Sequence, residues 1–183
     1  MNLDERLEHL ETVFTGKYLD VRKYHLRLPD GRKAVREIVH VRDSVAVLPV
    51  DPEGRVILVR QHRPAVGKTL IEIPAGLLDE GESPEEAALR ECEEETGYRP
   101  GRLEKLITYA HAEGYSTGWM TLFVGSDLVH TGRIRLDRTE NLHAVCLPFP
   151  ELARKVRANE IVDSKTILSV TLGKAWLGVG KSS

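Results

Sequence analysis

Alternation of apolar and polar residues predicts that the first third of the chain forms β-strands. Residues 18–29 alternate Leu, Val and Tyr with polar side chains, which is the period of a half-buried strand. Residues 29–31, Pro-Asp-Gly, indicate a turn, and residues 33–40 return as a second strand, so the two form a hairpin. Residues 44–50 are almost continuously apolar, which is typical of a strand buried on both faces.

The rest of the chain mixes strand and helix patterns. Further strands are predicted at residues 55–63, 103–110, 119–126 and 142–148, and residues 69–76 lead into the acidic segment. Helices are predicted over residues 150–157 and from Asp163-Ser164 to about Leu177. This order predicts an α/β fold with a mixed sheet flanked by helices, preceded by one or two strands within residues 1–42. Residues 43–183 would form the main domain.

A short acidic helix is predicted over residues 84–96. Ser83 has the side chain to cap it, Pro84 suits the first helical position, and Glu86 completes a Ser-x-x-Glu capping box. Gly97 stands where a left-handed residue commonly ends a helix. Several of its residues are small, so the helix can approach a sheet closely: Ala87, Ala88 and Cys92.

Three glutamates share one face of this helix. Glu91, Glu94 and Glu95 stand at i, i+3 and i+4. Like charges at this spacing repel by roughly 0.2–0.5 kcal/mol per pair, so the cluster needs a compensating cation. Arg90 lies beside the acidic face and can pair with it. Mg²⁺ binds through one or two carboxylates together with substrate phosphates, so the pattern indicates metal-dependent phosphate chemistry, with a solvated acidic helix as the alternative.

Composition limits the function classes. The chain has 183 residues, 41% hydrophobic and 30% charged, which suits one globular domain of ordinary size. Its net charge of −2 gives no electrostatic basis for nucleic-acid binding, and no apolar run approaches a membrane span. The N-terminal residues are too polar for a signal peptide. Cys92 and Cys146 are far apart, so we expect reduced thiols in a cytoplasmic protein.

Around the acidic helix, the chain resembles the Nudix box at every fixed position. The matching residues are Gly76, Glu82, Arg90, Glu91, Glu94, Glu95 and Gly97, with apolar residues at 92 and 98. Agreement at so many set spacings separates this helix from a generic acidic one. The resemblance implies the Nudix fold, a mixed β-sheet between helices, here with an N-terminal β-hairpin extension. It also implies hydrolysis of a diphosphate bond with Mg²⁺ or Mn²⁺.

Several further segments resemble the ADP-ribose pyrophosphatase branch of that family. They are residues 16–18, 35–37, 59–64, 71–76 and 161–167. Each is a weak match alone, but their order and spacing make a specific set. The resemblance implies a nucleotide-sugar substrate, with ADP-ribose hydrolysed to AMP and ribose 5-phosphate. It also implies a homodimer that exchanges its N-terminal strands, whereas an ordinary edge hairpin is the alternative for these strands.

The same resemblance implies roles for residues that would bind the substrate. Tyr18 would stack on the nucleobase, and Arg36 would cover the other face of the base. Glu37 would accept hydrogen bonds from the base. Arg63 would meet the diphosphate, because a planar guanidinium matches phosphate oxygens.

The resemblance further implies the catalytic and metal-binding set. The metal ligands would be the Ala75 carbonyl and the side chains of Glu91, Glu94 and Glu95. Arg90 belongs to the predicted catalytic residues. Glu140 is the candidate for a further base or metal ligand from a downstream loop, and Asp137 is the second choice.

One loop departs from the family pattern. Where the family often carries a Ser-Pro-Gly-type loop near the terminal ribose, residues 111–118 contain Glu113-Gly114 and no proline. GDP-mannose or another nucleoside diphosphate sugar is therefore an alternative substrate. A catalytically silent ligand-binding domain and a protein-interaction module built on the hairpin are alternative functions, although the intact box glutamates argue against a silent domain.

Overall fold

The N-terminal segment forms a three-stranded antiparallel sheet. The computed structural model describes residues 2–136 and 138–176, and its first strands are β1 (Arg6–Thr15), β2 (Leu19–Arg27) and β3 (Lys33–Val41), paired in that order. The predicted hairpin is confirmed, and its turn contains Gly31 with a φ of 87°, a left-handed value that favours glycine. The prediction of one or two strands is wrong by one, because β1 precedes the hairpin.

The remaining strands form two further sheets. The bounds are β4 (Ser44–Pro49), β5 (Arg55–Arg63), β6 (Lys68–Glu72), β7 (Ala75–Leu77), β8 (Tyr98–Ala110), β9 (Trp119–His130) and β10 (Leu142–Pro148). One sheet has the order β10-β5-β6, and the other has the order β7-β4-β9-β8. The last three strands were predicted, but β8 begins five residues earlier than the predicted residue 103 and β9 continues past residue 126.

Within the residues that the structure describes, three helices complete the α/β fold that was predicted. They are α1 (Pro84–Thr96), α2 (Phe149–Arg157) and α3 (Ser164–Trp176). Helix α1 packs against β4 and β7, α2 against β5 and β10, and α3 against β4. The predicted last residue of α3, Leu177, lies outside the described residues. Within the part of the chain that the structure describes, no helix is long and apolar enough to cross a membrane.

The chain divides into two compact units. One contains residues up to Asp43 together with Tyr109–Met120, and the other contains Ser44–Thr108 together with the residues from Thr121 onward. The second unit includes the buried strand β4, all three helices and most of β8 and β9. It therefore contains the acidic helix and the strands β4 and β7, against which that helix packs.

Small residues bring α1 close to the sheet of the second unit. Ala87, Ala88 and Cys92 are fully buried and form one apolar cluster with β-strand residues that include Val45 and Phe123. On α3, a Cβ at Gly173 would lie 2.9 Å from Cδ2 of Leu48 in β4. Because interiors are close-packed, the contacts of Ala87, Ala88 and Cys92 fix where α1 presents its acidic face.

Candidate active site

Local capping sets the ends of helix α1. The Ser83 side chain accepts from the Glu86 N–H at 3.3 Å, and the Glu86 carboxylate accepts from the Ser83 N–H at 3.0 Å. Gly97 ends the helix with a φ of 75°, and its N–H donates to the Glu93 carbonyl. The predicted capping box and helix bounds are thus confirmed.

Glu95 is the most deeply buried carboxylate of the acidic face. Its side chain lies against strand β7, where Oε2 accepts from the Ala75 N–H at 2.9 Å. Burial raises the pKa of Glu95 to about 8, and the nearby carboxylates of Glu91 and Glu140 add to this effect. The structure therefore brings Glu95 and Ala75 together, at a position where a negative charge is unfavourable without a cation.

The side chain of Glu91, one helical turn before Glu95, also approaches β7, beside Gly76. A Cβ at Gly76 would overlap the Glu91 carboxylate, so only glycine leaves room for it there. Burial raises the pKa of Glu91 from its ordinary value, and repulsion from Glu94 and Glu140 adds to it, against the opposing effect of Arg90. The box glycine thus has a physical role, which is to admit this carboxylate beside the backbone.

Arg90 links the carboxylates on the outer side of the cluster. It donates two hydrogen bonds to Glu82, at 2.8 and 2.7 Å, and one to Glu91 at 2.6 Å. Further contacts reach Glu94 at 3.4 Å and the Leu77 carbonyl at 3.1 Å. The hydrogen bonds to Glu82 are the main reason why the pKa of Arg90 is raised. Arg90 therefore holds box glutamates in place through charge.

Glu140 lies within electrostatic range of both buried glutamates, since it raises the pKa of Glu91 and of Glu95. Its own side chain is exposed. The loop that carries it is thus close to the acidic face, as the position of a further base or ligand requires. The second choice, Asp137, lies outside the described residues.

The donor set suits a divalent cation in chemistry and charge. Glu91 and Glu95 are two buried carboxylates with raised pKa values, and hard cations prefer such oxygen ligands. Among residues 2–136 and 138–176, no three His, Cys, Asp or Glu side chains already converge on one point. Glu94, which is less buried, instead contacts Arg90.

Arg63 forms a partly buried ion pair with Glu72 next to this cluster. Its Nε and one terminal nitrogen donate to the two oxygens of Glu72 at 2.8 and 2.7 Å. Glu72 is 1% exposed, and it also accepts from Lys165. The hydrogen bonds to Glu72 raise the pKa of Arg63, with smaller contributions from Glu95 and Asp163. Arg63 thus lies within electrostatic range of Glu95. The sequence prediction included Arg63 but assigned no role to Glu72 or Lys165.

The residues predicted to bind the base lie in the other unit. Tyr18 is 51% exposed, and the Lys17 ammonium lies 4.7 Å from the centre of its ring. Tyr18 lines an open cavity of about 280 Å³ with residues 16–20, 40–42 and 117. Arg36 and Glu37 do not line this cavity within the single chain. Arg36 pairs with Glu5 at 2.8 Å, and adjacent residues of a strand face opposite sides of the sheet.

Comparisons with known proteins place this geometry in a family. The NUDIX domain model matches residues 40–167. An ADP-ribose pyrophosphatase of Bacillus subtilis is 35% identical over 170 residues, covering 92% of each chain. A GDP-mannose pyrophosphatase of Cronobacter sakazakii is 34% identical over 171 residues, covering 86% of this chain and 89% of its own. A crystal structure of an ADP compounds hydrolase covers 100% of both chains with a TM-score of 0.85 and 25% identity.

Proposed function

The chain belongs to the Nudix family of hydrolases, and from this premise we propose that it cleaves the diphosphate bond of nucleoside diphosphate sugars. ADP-ribose, giving AMP and ribose 5-phosphate, is the leading substrate, as the name of the Bacillus subtilis relative suggests. The observation that carries the proposal is the buried pair Glu91 and Glu95 beside Ala75 and Gly76 of β7, with Glu95 within electrostatic range of Arg63.

The residues divide the work of a phosphoryl-transfer site. Glu91, Glu94, Glu95 and the Ala75 carbonyl would hold Mg²⁺ or Mn²⁺, which as a Lewis acid would neutralise charge on the diphosphate. Arg63 binds diphosphate oxygens with its remaining N–H groups. Arg90 holds Glu82 and Glu91 in place. Such reactions depend mainly on positioning and electrostatic stabilisation.

Glu140 acts as the base that accepts a proton from the attacking water. Two features support this role. The loop residue lies close enough to Glu91 and Glu95 to raise their pKa values, and its side chain is exposed, so water can reach it. A base must come within hydrogen-bond reach of the proton that it takes.

Tyr18, Arg36 and Glu37 recognise the nucleobase in a homodimer. The open cavity beside Tyr18 and the exposed ring support stacking of a base on Tyr18. Because Arg36 and Glu37 lie outside this cavity in the single chain, these residues would come from the second copy. Strand β1 supports dimerisation, since Leu7, Leu10, Val13 and Phe14 are all between 39% and 55% exposed.

Changing Leu10 and Val13 together to lysine is expected to convert the dimer into a monomer. Two ammonium groups would be buried without partners at the interface, which is strongly unfavourable. Light scattering coupled to gel filtration measures the mass of each species. Val129→Lys, at an exposed position of β9, is the matched control and should stay dimeric. A monomeric wild-type protein, or a double variant that remains a dimer, would contradict the proposal.

ADP-sugars are expected to differ in kcat/KM by less than about 100-fold, the range that shape alone supplies. The reason is that Glu113-Gly114 replaces the family loop near the terminal ribose, so specific hydrogen bonds to its hydroxyls are lost. Initial rates with ADP-ribose, ADP-glucose and GDP-mannose test both halves of the substrate. Strict selectivity for ADP-ribose would show that this loop still reads the ribose.

GDP-mannose is the second candidate substrate, favoured by the name of the Cronobacter sakazakii relative. A strong preference for it in the same panel would replace the leading proposal. A metal-loaded protein that binds these compounds without releasing a monophosphate would instead be a silent binding domain.

The two free thiols, Cys92 and Cys146, support our further proposal of a cytoplasmic location, because reducing compartments keep thiols unpaired.

A further inference from the structure

Glu72 is a fully buried carboxylate that two cations share. Its oxygens accept both hydrogen bonds from Arg63 and one from Lys165, and its side chain is 1% exposed. Burial works to raise the pKa of Glu72, but the hydrogen bonds from Arg63 and the charge of Lys165 outweigh it and hold the pKa below its ordinary value. Glu72 is therefore a fixed negative charge within the protein, at the end of β6.

Lys165 is itself held at the start of helix α3. Its ammonium donates to Asp163 at 2.8 Å, while the other Asp163 oxygen accepts from the Thr166 N–H at 3.0 Å. The Thr166 hydroxyl also donates to Asp163 and accepts from the Ile73 N–H at 2.9 Å. One connected network thus ties the start of α3 to the segment that leads from β6 to Ala75 and Gly76.

Glu72 holds the guanidinium of Arg63 through a bidentate contact. A guanidinium has five N–H donors in a fixed plane, and the bidentate contact uses two of them, so three remain on the outer edge. The Arg63 side chain is 39% exposed, and it lies within electrostatic range of Glu95. Its outer edge is therefore available to an anion near the acidic face of α1.

We propose that Glu72, anchored by Lys165 and Asp163, is a positioning residue that orients Arg63 for binding the substrate diphosphate. This inference rests on the proposed function and deepens it, because it assigns a role to the segment around Asp163-Lys165 that the sequence resemblance left open. The bidentate pairing fixes the guanidinium plane before substrate arrives, so less conformational entropy is lost on binding.

A double-mutant cycle tests this role. Glu72→Gln keeps the shape of the side chain, but it replaces one carboxylate oxygen with an NH₂ group. That group cannot accept the hydrogen bond that the oxygen accepted, so Arg63 loses its bidentate partner. With the full chain, ADP-ribose and Mg²⁺, kcat/KM is expected to fall about 10- to 100-fold, the size of a charge-assisted hydrogen bond, mostly through a higher KM. In an Arg63→Ala background the same change should cost less than about threefold, since coupled residues are not additive.

The controls separate positioning from loss of structure. Asp51→Asn removes another carboxylate whose side chain is only 9% exposed and which pairs with Arg55 at 2.7 Å, so it should leave KM unchanged. A purely structural defect would reduce the amount of active enzyme and lower the apparent kcat at normal KM. If Glu72→Gln fails to fold, Lys165→Met is used in the same cycle.

The outcomes separate this inference from the proposed function. An active wild-type enzyme in which the Glu72 and Arg63 effects multiply, or in which KM stays normal in both Glu72→Gln and Lys165→Met, would overturn the positioning role alone. A wild-type protein that turns over none of ADP-ribose, ADP-glucose and GDP-mannose would overturn the proposed function, and with it the reaction for which Arg63 is oriented.

Discussion

Replacing Glu95 with glutamine is expected to leave the fold intact and to lower kcat by at least about 100-fold, the effect of losing one key electrostatic group. An amide oxygen can still accept from the Ala75 N–H, so the local structure is retained. The amide carries no charge, and it is a weaker ligand for a hard cation. Steady-state rates with ADP-ribose in saturating Mg²⁺, alongside thermal melting, measure both properties.

Glu93→Gln is the matched control on the same helix. Glu93 is also buried, but it pairs with Arg99 at 3.0 Å on a different side of α1. Removing its charge should affect stability more than turnover. If Glu95→Gln retains the wild-type rate, Glu95 has no part in the site, whatever the control shows.

The local features of α1 could be predicted because their causes lie within a few residues. The capping box joins Ser83 to Glu86, and Gly97 ends the helix through its own backbone conformation. The spacing of Glu91, Glu94 and Glu95 likewise follows from helix geometry alone. Nothing from the rest of the fold is needed to infer these features, so the sequence was sufficient.

Strand β1 was missed because its apolar residues do not follow the period of a strand. Leu7, Leu10, Val13 and Phe14 are spaced by three, three and one, and the ladder with β2 contains two irregularities that disturb alternation. All ten residues of β1 are exposed in the single chain. Pairing with β2, rather than burial of one face, therefore makes this segment a strand, and hydrophobic pattern alone does not report pairing.

The Glu72 network could not be predicted because its contacts are distant in sequence. Glu72 and Lys165 are separated by 93 positions, as are Ile73 and Thr166. The sequence resemblance marked both segments as family features without indicating that they meet. A buried glutamate between apolar neighbours at positions 71 and 73 was the available signal, because a charge in such a strand needs a partner.

Removing divalent cations is expected to lower the turnover rate by about 1,000-fold or more, because Lewis-acid stabilisation contributes several kcal/mol to such reactions. The physical reason is the pair Glu91 and Glu95, two buried carboxylates whose pKa values are raised in the chain without metal. Dialysis against a chelator followed by rate measurements, with Mg²⁺ or Mn²⁺ added back, tests this. Full turnover in excess chelator would contradict a metal site.

The cation requirement should also depend on pH in a defined direction. Glu95, with a pKa of about 8 in the chain without metal, is mostly protonated at pH 6, so a cation must displace this proton to bind. Between pH 8 and pH 6, the Mg²⁺ concentration that gives half-maximal activity should therefore rise, by up to about tenfold per pH unit for one displaced proton.

The stability of the metal-free chain should follow the same linkage. Because the folded pKa lies above the unfolded one, stability falls as pH rises from about 4.5 toward 8, and added Mg²⁺ should restore most of it at the alkaline end. Thermal melting with and without Mg²⁺ at both pH values measures this. In Glu95→Gln, which has no proton to lose, the dependence should largely disappear.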